Sequence, residues 1–362
     1  MTRALRLELR RSELHVDPPL VNAGTAWSRR SVVSLLLQEP GAAPSQVSGW
    51  GEASPLPGYS RETDADVERS LGSLGAERLL RLSQAPSAAE IVAAVAAALP
   101  GGSPAARFGL ETALLDRLAR AAGQPLWRLL SALAGGDSAP RDVALCALLP
   151  SADAGVAAEL AERHVSAGVL AFKLKIGPGR IQPEQEATLD ALRSRWGGSI
   201  ALRLDANGSL SRSELAATLA RLVRFDPEFI EEPLAAATPE ILAESPCPLA
   251  LDESLQGLAD DERERLLEQT RARVAVLKPT TLGGLGACLR LAAAAGRLGC
   301  DAIVSHALEG PIGWSACAHL ALALASPRAA GLWPLAHQRA RLPRVAQGRL
   351  HAPAEPGLGP LT

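Results

Sequence analysis

From about residue 141 onward, short apolar runs alternate with longer segments in which leucine and alanine recur at helical spacing. Eight of these runs read as strands, namely DVALCALL, LAFKLKI, IALRLDA, EFIEEPL, LALDESL, VAVLKPT, DAIVSHA and GLWPL. Between Lys175 and Ser305, the polar residues that end successive runs lie 30, 26, 21, 26 and 27 residues apart. A repeating β-loop-α unit of that length predicts an α/β fold, a closed TIM-type barrel of parallel strands.

The first part of the chain has a different pattern, with strands first and helices afterwards. LRLELRRSELHV and SVVSLLLQ predict two strands, separated by the turn-rich segment DPPLVNAGTAWSRR. The segment GWGEASPLPGYSRET reads as a loop, and helical patterns follow near residues 62–81, 87–99 and 104–121. This order predicts a compact α+β domain over residues 1–115, followed by the barrel over residues 116–339.

Polar residues end five consecutive strand runs of the predicted barrel, each just before a turn. They are Lys175, Asp205, Glu231 with Glu232, Asp252 and Lys278. One such residue is as easily explained as a charge that ends a strand at the surface. Five in succession favour a functional site, because the carboxyl ends of barrel strands meet at one face, where such barrels carry their chemistry.

Three of these strand-end residues are carboxylates whose charges need a partner. Asp205, Glu231 and Asp252 on successive strands would repel one another strongly if they stood close together without neutralisation. A divalent cation removes the repulsion, and an all-oxygen ligand set favours Mg²⁺ over zinc, with Mn²⁺ as an alternative. Salt bridges from arginine are the competing explanation.

Lysine is rare in this chain and is confined to the predicted strand ends. The sequence contains 37 lysines and arginines, of which only Lys173, Lys175 and Lys278 are lysine. Residues two apart on a strand face the same way, so the first two both point into the barrel. Burial and a like-charged neighbour lower the pKa of a lysine, which makes it a general base, a role closed to arginine. Lysine beside Mg²⁺ suggests proton removal alpha to a carboxylate.

Composition excludes several other classes of protein. A net charge of -2 gives no reason to expect nucleic acid or a membrane surface as partner, and no uninterrupted apolar run is long enough to span a membrane. The five cysteines are scattered, which is typical of reduced thiols. With no secretory pattern at the start, we expect a cytoplasmic enzyme acting on a small-molecule carboxylate; the oligomeric state stays open.

The strand-end motifs resemble those of the muconate-lactonizing-type branch of the enolase superfamily, and within it the o-succinylbenzoate synthases. The matching segments are KLK at 173–175, LDAN at 204–207, EEP at 231–233, DES at 252–254, KP at 278–279, GWGEASPLPGYSRET at 49–63 and PGLG at 356–359. The resemblance implies a (β/α)7β TIM-type barrel with an N-terminal α+β capping domain. Residues from about 340 to 362 are expected to pack back on the cap.

The resemblance also implies a role for each residue of the site. Asp205, Glu231 and Asp252 would ligate Mg²⁺. Lys175 would be the base, Lys278 a cation opposite it, and Lys173 would tune Lys175 and help hold the substrate carboxylate. Substrate contacts are expected from Arg203, Asn207 and Ser305, for which scaffolding of the pocket is the alternative. Tyr59 is either a lid contact or a packing residue, and His306 a structural residue or a proton shuttle.

The implied reaction is the dehydration of 2-succinyl-6-hydroxy-2,4-cyclohexadiene-1-carboxylate to 2-succinylbenzoate, a step of menaquinone biosynthesis. An N-succinylamino-acid racemase or a dipeptide epimerase on the same scaffold is the nearest alternative. A Schiff-base aldolase would use the lysines but leave the three carboxylates without a purpose. A non-catalytic binding protein would give no reason for where the lysines lie.

Overall fold

The protein, analysed as a computed structural model, is described at residues 5–21, 26–38, 48–136, 139, 142–335, 338 and 343–360. Its N-terminal part is a three-stranded antiparallel sheet in the order β1-β2-β3, covered by helices. The elements are β1 Arg6–Val21, β2 Ala26–Gln38, β3 Gly49–Ala53, α1 Asp64–Gly72, α2 Ala76–Ser83, α3 Ala88–Ala98 and α4 Pro104–Ala121.

The cap differs from its prediction in three places. The segment predicted as a turn is mostly strand, because β1 and β2 continue through it to Val21 and from Ala26. The register of their pairing shifts between His15 and Leu20. This irregular stretch contains two prolines, which have no backbone N–H to donate to a neighbouring strand. β3 lies inside the predicted loop. The single helix predicted over 62–81 is two helices, since α1 ends at Gly72 and α2 begins at Ala76.

Seven parallel strands form the barrel wall, in the order β11-β10-β9-β8-β7-β6-β5. Their bounds are β5 Cys146–Leu149, β6 Ala171–Lys175, β7 Ala201–Asp205, β8 Phe229–Glu231, β9 Leu249–Leu251, β10 Val274–Leu277 and β11 Asp301–Val304. The wall closes through residues 330–331: Cys146 N–H donates to the Ala330 carbonyl and Gly331 N–H to the Val304 carbonyl, both at 2.8 Å. The predicted (β/α)7β barrel is confirmed.

Helices surround this wall, and a small sheet lies near the C-terminus. The helices are α5 Leu126–Leu133, α6 Ala154–Ser166, α7 Pro183–Trp196, α8 Leu215–Leu222, α9 Pro239–Leu242, α10 Asp260–Thr270, α11 Pro279–Leu282, α12 Leu285–Arg297 and α13 Pro311–Leu324. The small antiparallel sheet joins β12 Val345–Ala346 and β13 Arg349–Leu350 to β4 Val143–Ala144. Within the described ranges, no helix combines the length and the apolar character needed to cross a membrane. The five cysteines are buried and carry free thiols.

Two buried carboxylates of the cap bind the N-termini of barrel helices. Glu52 on β3 accepts the N–H groups of Gly310 at 2.6 Å and Gly313 at 3.1 Å, at the start of α13. Glu111 on α4 accepts the Gly286 N–H at 2.7 Å, at the start of α12. A helix N-terminus attracts negative charge, and these two helices begin at the face where the strands end. The cap is thereby docked over the predicted active-site face.

The C-terminal segment contacts the region where the cap joins the barrel. Leu358 N–H donates to Asp116 Oδ1 at 2.6 Å, and Leu126 N–H donates to the Gly357 carbonyl at 2.8 Å. Of the segment predicted to pack on the cap, residues 340–342, 361 and 362 lie outside the described part of the chain. The domain boundary at residue 115 stays a prediction; α4 runs through it without a break.

Candidate active site

The ends of β6, β7 and β8 bring two lysines and two carboxylates together. The strands are paired so that Lys175 lies beside Asp205 and Asp205 beside Glu231. Lys173 Nζ is 2.8 Å from Asp205 Oδ2 and 2.8 Å from Glu231 Oε1, and Lys175 Nζ is 3.6 Å from the same Asp205 oxygen. Both lysines therefore point into the barrel, as the two-residue spacing predicts.

A second group forms where the cap loop meets the ends of β9 and β10. Lys278 Nζ contacts Asp252 Oδ2 and donates to the Tyr59 hydroxyl at 2.7 Å. The same hydroxyl lies 3.0 Å from both Asp252 carboxylate oxygens, and Lys278 Nζ lies 4.6 Å from the centre of the Tyr59 ring. Burial and the Asp252 carboxylate raise the pKa of Tyr59, so the phenol remains a donor. Tyr59 thus reaches the site from the cap loop.

Neighbouring side chains fix the orientation of the strand-end groups. Lys175 Nζ donates to Asn207 Oδ1, and Asn207 Nδ2 donates to Glu253 Oε1 at 3.1 Å. Glu232 Oε2 accepts the backbone N–H of Asp252 at 2.8 Å, which holds that residue at the end of β9. The structure therefore brings Asn207 into contact with Lys175, while its expected substrate contact stays a prediction.

Two residues of this site have a strained backbone conformation. Asn207 and Glu232 have φ values of 44° and 42°, in the left-handed region. Asparagine tolerates this conformation better than most residues, whereas glutamate adopts it only at a cost. Such strain persists where surrounding contacts enforce it, and it is commonly found at functional sites.

The three lysines differ in proton affinity. Burial lowers the pKa of Lys175, and the charges of Lys173 and Lys278 add to this, against the opposing effect of Asp205. Burial alone would lower the pKa of Lys173, but the carboxylates of Asp205 and Glu231 outweigh it and raise the pKa. Lys278 behaves in the same way beside Asp252, so its pKa is also raised. Lys175 is the lysine of this group with a lowered pKa.

Lys175 is also the most accessible of the three. Its side chain is 30% exposed, against 10% for Lys278. A general base needs both a pKa close to the working pH and access to the substrate. The arrangement therefore supports Lys175 as a base and Lys278 as a fixed cation.

The carboxylates suit a dication by their chemistry and their charge. Five carboxylates, at residues 205, 231, 232, 252 and 253, lie at these strand ends with three lysines, which leaves a formal excess of two negative charges. Burial raises the pKa of Glu231 to about 7 in spite of Lys173, because Asp205 and Asp252 add to the effect. Glu253 Oε2 is buried and has no hydrogen-bond partner among the residues that the structure describes. Oxygen ligands and a double positive charge match Mg²⁺.

The lysine ammonium groups lie between the carboxylates that we expect to hold this ion. Lys173 bridges Asp205 and Glu231, while Lys278 binds Asp252. As a result, no three His, Cys, Asp or Glu side chains in the described part of the chain converge on one point. The ligand roles of Asp205, Glu231 and Asp252 consequently stay a proposal that rests on their chemistry.

The structure places Arg203 away from the lysine group, and its expected substrate contact stays a prediction. Its side chain is buried, donates from Nε to Glu228 Oε2 at 2.6 Å and from Nη1 to the Ala329 carbonyl at 2.7 Å. Glu228 in turn binds Arg328 at 2.9 Å, near the start of β8. Arg203 faces inward like Asp205, but it lies two residues earlier on β7 and extends toward the opposite end of the barrel. Together with Glu228 and Arg328 it forms a group of ion pairs at the end of the barrel where the strands begin. These contacts thus lie away from the lysine group.

Ser305 and His306 are held by backbone atoms. Ser305 Oγ donates to the Gly331 carbonyl at 3.2 Å, next to the bridge that closes the barrel. His306 Nδ1 accepts the Leu308 N–H at 3.1 Å. These contacts support the scaffolding alternative for Ser305, and they leave its substrate contact untested.

Leu148 and Glu253 belong to the site but were not among its predicted residues. Leu148 lies opposite Lys173 in the pairing of β5 with β6, so its side chain faces the barrel interior, where it is 38% exposed. A leucine exposed inside a barrel provides apolar contact for a ligand. Strict alternation along DVALCALL is the sequence signal that would have identified it.

Comparison with known proteins agrees with this architecture. Residues 6–131 match the family described as mandelate racemase / muconate lactonizing enzyme, N-terminal domain. Residues 156–360 match the family described as enolase C-terminal domain-like. Together the two matches cover the cap and the barrel.

The relatives of this chain differ from one another in activity. The chain is 30% identical to the o-succinylbenzoate synthase of Desulfotalea psychrophila over 75% of this chain and 78% of the relative. It is also 30% identical to the N-succinylamino acid racemase of Thermus thermophilus, over 87% of this chain and 81% of the relative. The crystal structure of MenC from Desulfotalea psychrophila superposes with a TM-score of 0.76 at 25% identity, covering 96% of this chain and all of that one. The chain therefore belongs to the mandelate racemase / muconate lactonizing enzyme type of the enolase superfamily.

Proposed function

We propose that this enzyme is a Mg²⁺-dependent dehydratase that converts 2-succinyl-6-hydroxy-2,4-cyclohexadiene-1-carboxylate to 2-succinylbenzoate, the o-succinylbenzoate synthase reaction of menaquinone biosynthesis. The observation that carries the proposal is the unequal setting of the two opposed lysines. Lys175 is partly exposed at the barrel mouth, whereas Lys278 is buried beneath Tyr59 and bound to Asp252. One base and one fixed cation are what this dehydration requires.

In this proposal Lys175 does the proton transfer. Its neutral amine takes the proton from the ring carbon next to the carboxylate, and the resulting negative charge spreads over the carboxylate oxygens as an enediolate. The C–O bond to the ring hydroxyl then breaks, and the same proton joins the departing hydroxide to give water. The new double bond completes the aromatic ring, which supplies much of the driving force.

The other charged groups stabilise the negative charge that develops. Lys278 presents a fixed ammonium to the enediolate, and such preorganised charge needs no rearrangement during the reaction. Lys173, bound to Asp205 and Glu231, helps to keep Lys175 neutral and to hold the substrate carboxylate. Mg²⁺, for which Asp205, Glu231 and Asp252 are the proposed ligands, would supply Lewis-acid stabilisation of that carboxylate when bound.

N-succinylamino-acid racemisation is the second candidate, and the Thermus thermophilus racemase supports it by matching 87% of this chain. Racemisation through two bases needs a lysine that exchanges protons on each face of the substrate. Lys278 suits that role poorly, since its ammonium is engaged by Asp252 and Tyr59.

The test is turnover of the cyclohexadiene substrate with Mg²⁺ by the wild type and by Lys175→Arg. An arginine keeps the charge but cannot act as a base, so we expect a loss of about a thousandfold in kcat, the scale of general-base catalysis. Arg273→Lys is the matched control, because it exchanges the same residue types at an exposed position before β10. It should retain full activity.

Two further measurements test the proposal, and the second separates the two candidates. Chelation with EDTA should abolish turnover, and added Mg²⁺ should restore it. Near-normal turnover by Lys175→Arg would contradict the role of Lys175. Deuterium exchange into N-succinylamino acids, with no turnover of the cyclohexadiene, would contradict the dehydratase assignment and favour the racemase.

A further inference from the structure

A cavity of about 390 Å³ lies between the cap and the barrel, beside the candidate active site. Its walls are the cap loop that follows Tyr59, one side of α1, the segment that leads into α4, and the barrel loop that follows β9. None of the three lysines lines it. The lining of the cavity is therefore distinct from that of the lysine site.

Arg61 presents an uncommitted positive charge to this cavity. Its guanidinium lies against the backbone of Gly257, where an added Cβ would overlap Nη1. Gly257 also has a φ of 74°, so both its missing side chain and its conformation accommodate the arginine. Among the residues that the structure describes, no carboxylate or carbonyl oxygen accepts a hydrogen bond from Arg61. A guanidinium so placed is suited to bind a carboxylate.

Gln256 adds a second donor from the barrel side. The residue is 5% exposed and lines the cavity, and its Nε2 is buried with no hydrogen-bond acceptor in the described part of the chain. Leaving a buried amide N–H unpaired costs free energy, and natural structures generally avoid it. An acceptor brought into the adjoining cavity by a ligand would satisfy this group.

Glu62 supplies an acceptor on the same wall. Its Oε1 accepts the Ala105 N–H at 2.8 Å, whereas its Oε2 is buried and, among the described residues, has no donor. The remaining charges of the wall, Asp66 and Arg69, are paired with each other at 2.7 Å. Within the described part of the chain, the lining of the cavity thus leaves one cation, one amide donor and one carboxylate oxygen without a partner.

We propose that this cavity is a second small-molecule site, which binds a compound carrying a carboxylate next to a hydrogen-bond donor. The carboxylate would be held by Arg61 and Gln256, and the donor, an ammonium or a hydroxyl group, by Glu62. Small amino acids and hydroxy acids share this chemistry. The proposal is independent of the reaction catalysed at Lys175.

The test is isothermal titration calorimetry of the full chain with L-alanine, L-lactate and propionate. These three compounds differ by one substituent on the same carbon. Alanine and lactate should bind at least about tenfold more tightly than propionate, because only they carry a donor for Glu62. Whichever of alanine and lactate binds more tightly shows whether the donor is an ammonium or a hydroxyl group. Equal binding of all three, or no binding, would overturn the proposal.

Variants locate the bound ligand. Arg61→Leu and Gln256→Met should each weaken binding by about tenfold or more, since each removes a donor to the carboxylate. Methionine has nearly the volume of glutamine, and Arg61 is exposed, so the thermal unfolding of both variants should match the wild type. Lys175→Arg should bind as the wild type does. Binding that survives both cavity variants and is lost in Lys175→Arg would place the ligand in the active site and refute the second site.

Discussion

Replacing Glu111 by glutamine should change how the stability of the protein depends on pH. Glu111 is 3% exposed on α4 and binds the N-terminus of α12 through the Gly286 N–H at 2.7 Å. Burial raises its pKa from 4.5 to about 7, although the backbone bond to Gly286 and the charge of Arg290 oppose this. Glutamine has nearly the same shape and can accept the same hydrogen bond without carrying a charge.

The sign and the size of the effect on the free energy of unfolding follow from the direction and the extent of the pKa change. Because the folded pKa lies above the unfolded one, the folded state binds more protons between pH 4.5 and about 7. The contribution of Glu111 to the free energy of unfolding is thus full below pH 4.5 and is lost as the pH rises through 7. At about 1.4 kcal/mol per pH unit, the full loss is roughly 3 kcal/mol.

Denaturant unfolding of the wild type and Glu111→Gln at pH 5 and pH 8 measures this effect. The two proteins should be close in stability at pH 5, and the variant should be the more stable at pH 8 by up to about 3 kcal/mol. Glu159→Gln, the same change at an exposed position on α6, controls for general effects of charge. A difference between wild type and Glu111→Gln that stays constant with pH would refute the reasoning.

Three further predictions concern the active site. Tyr59→Phe removes the hydroxyl bound to Lys278, and steady-state kinetics should show kcat lowered about tenfold with KM nearly unchanged; an unchanged kcat would exclude Tyr59 from catalysis. Leu148→Ser removes apolar contact inside the barrel and should raise KM about tenfold, whereas Leu170→Ser, at an exposed leucine before β6, should leave KM as it is. Since burial lowers the pKa of Lys175 and the neutral amine is the base, a pH profile of kcat/KM should rise with pH, with a midpoint below the 10.5 of an ordinary lysine. A profile that falls over that range would contradict this role.

The barrel could be predicted because its signals are local. Each strand run, the turn residue after it and the helix that follows occupy about 20 to 30 consecutive residues, and the same pattern repeats. The positions of Lys175, Asp205 and Glu231 follow as well, because parallel strands that end in register place their last residues side by side. The cap was harder to predict from the sequence, because β3 contains two glycines in five residues and therefore resembles a loop.

Sequence by itself determined the fold of the barrel, the strand-end position of the lysines and carboxylates, and the inward direction of residues two apart. Tertiary structure decided which of these groups meet. Tyr59 reaches Lys278 from 219 residues away, through a cap that two buried glutamates dock on the barrel. Arg203 shares the inward face of Asp205, yet its long side chain reaches Glu228 at the opposite end of the barrel. Periodicity fixes the face of a strand on which a side chain lies, but the partner that it reaches depends on side-chain length and on residues far away in the chain.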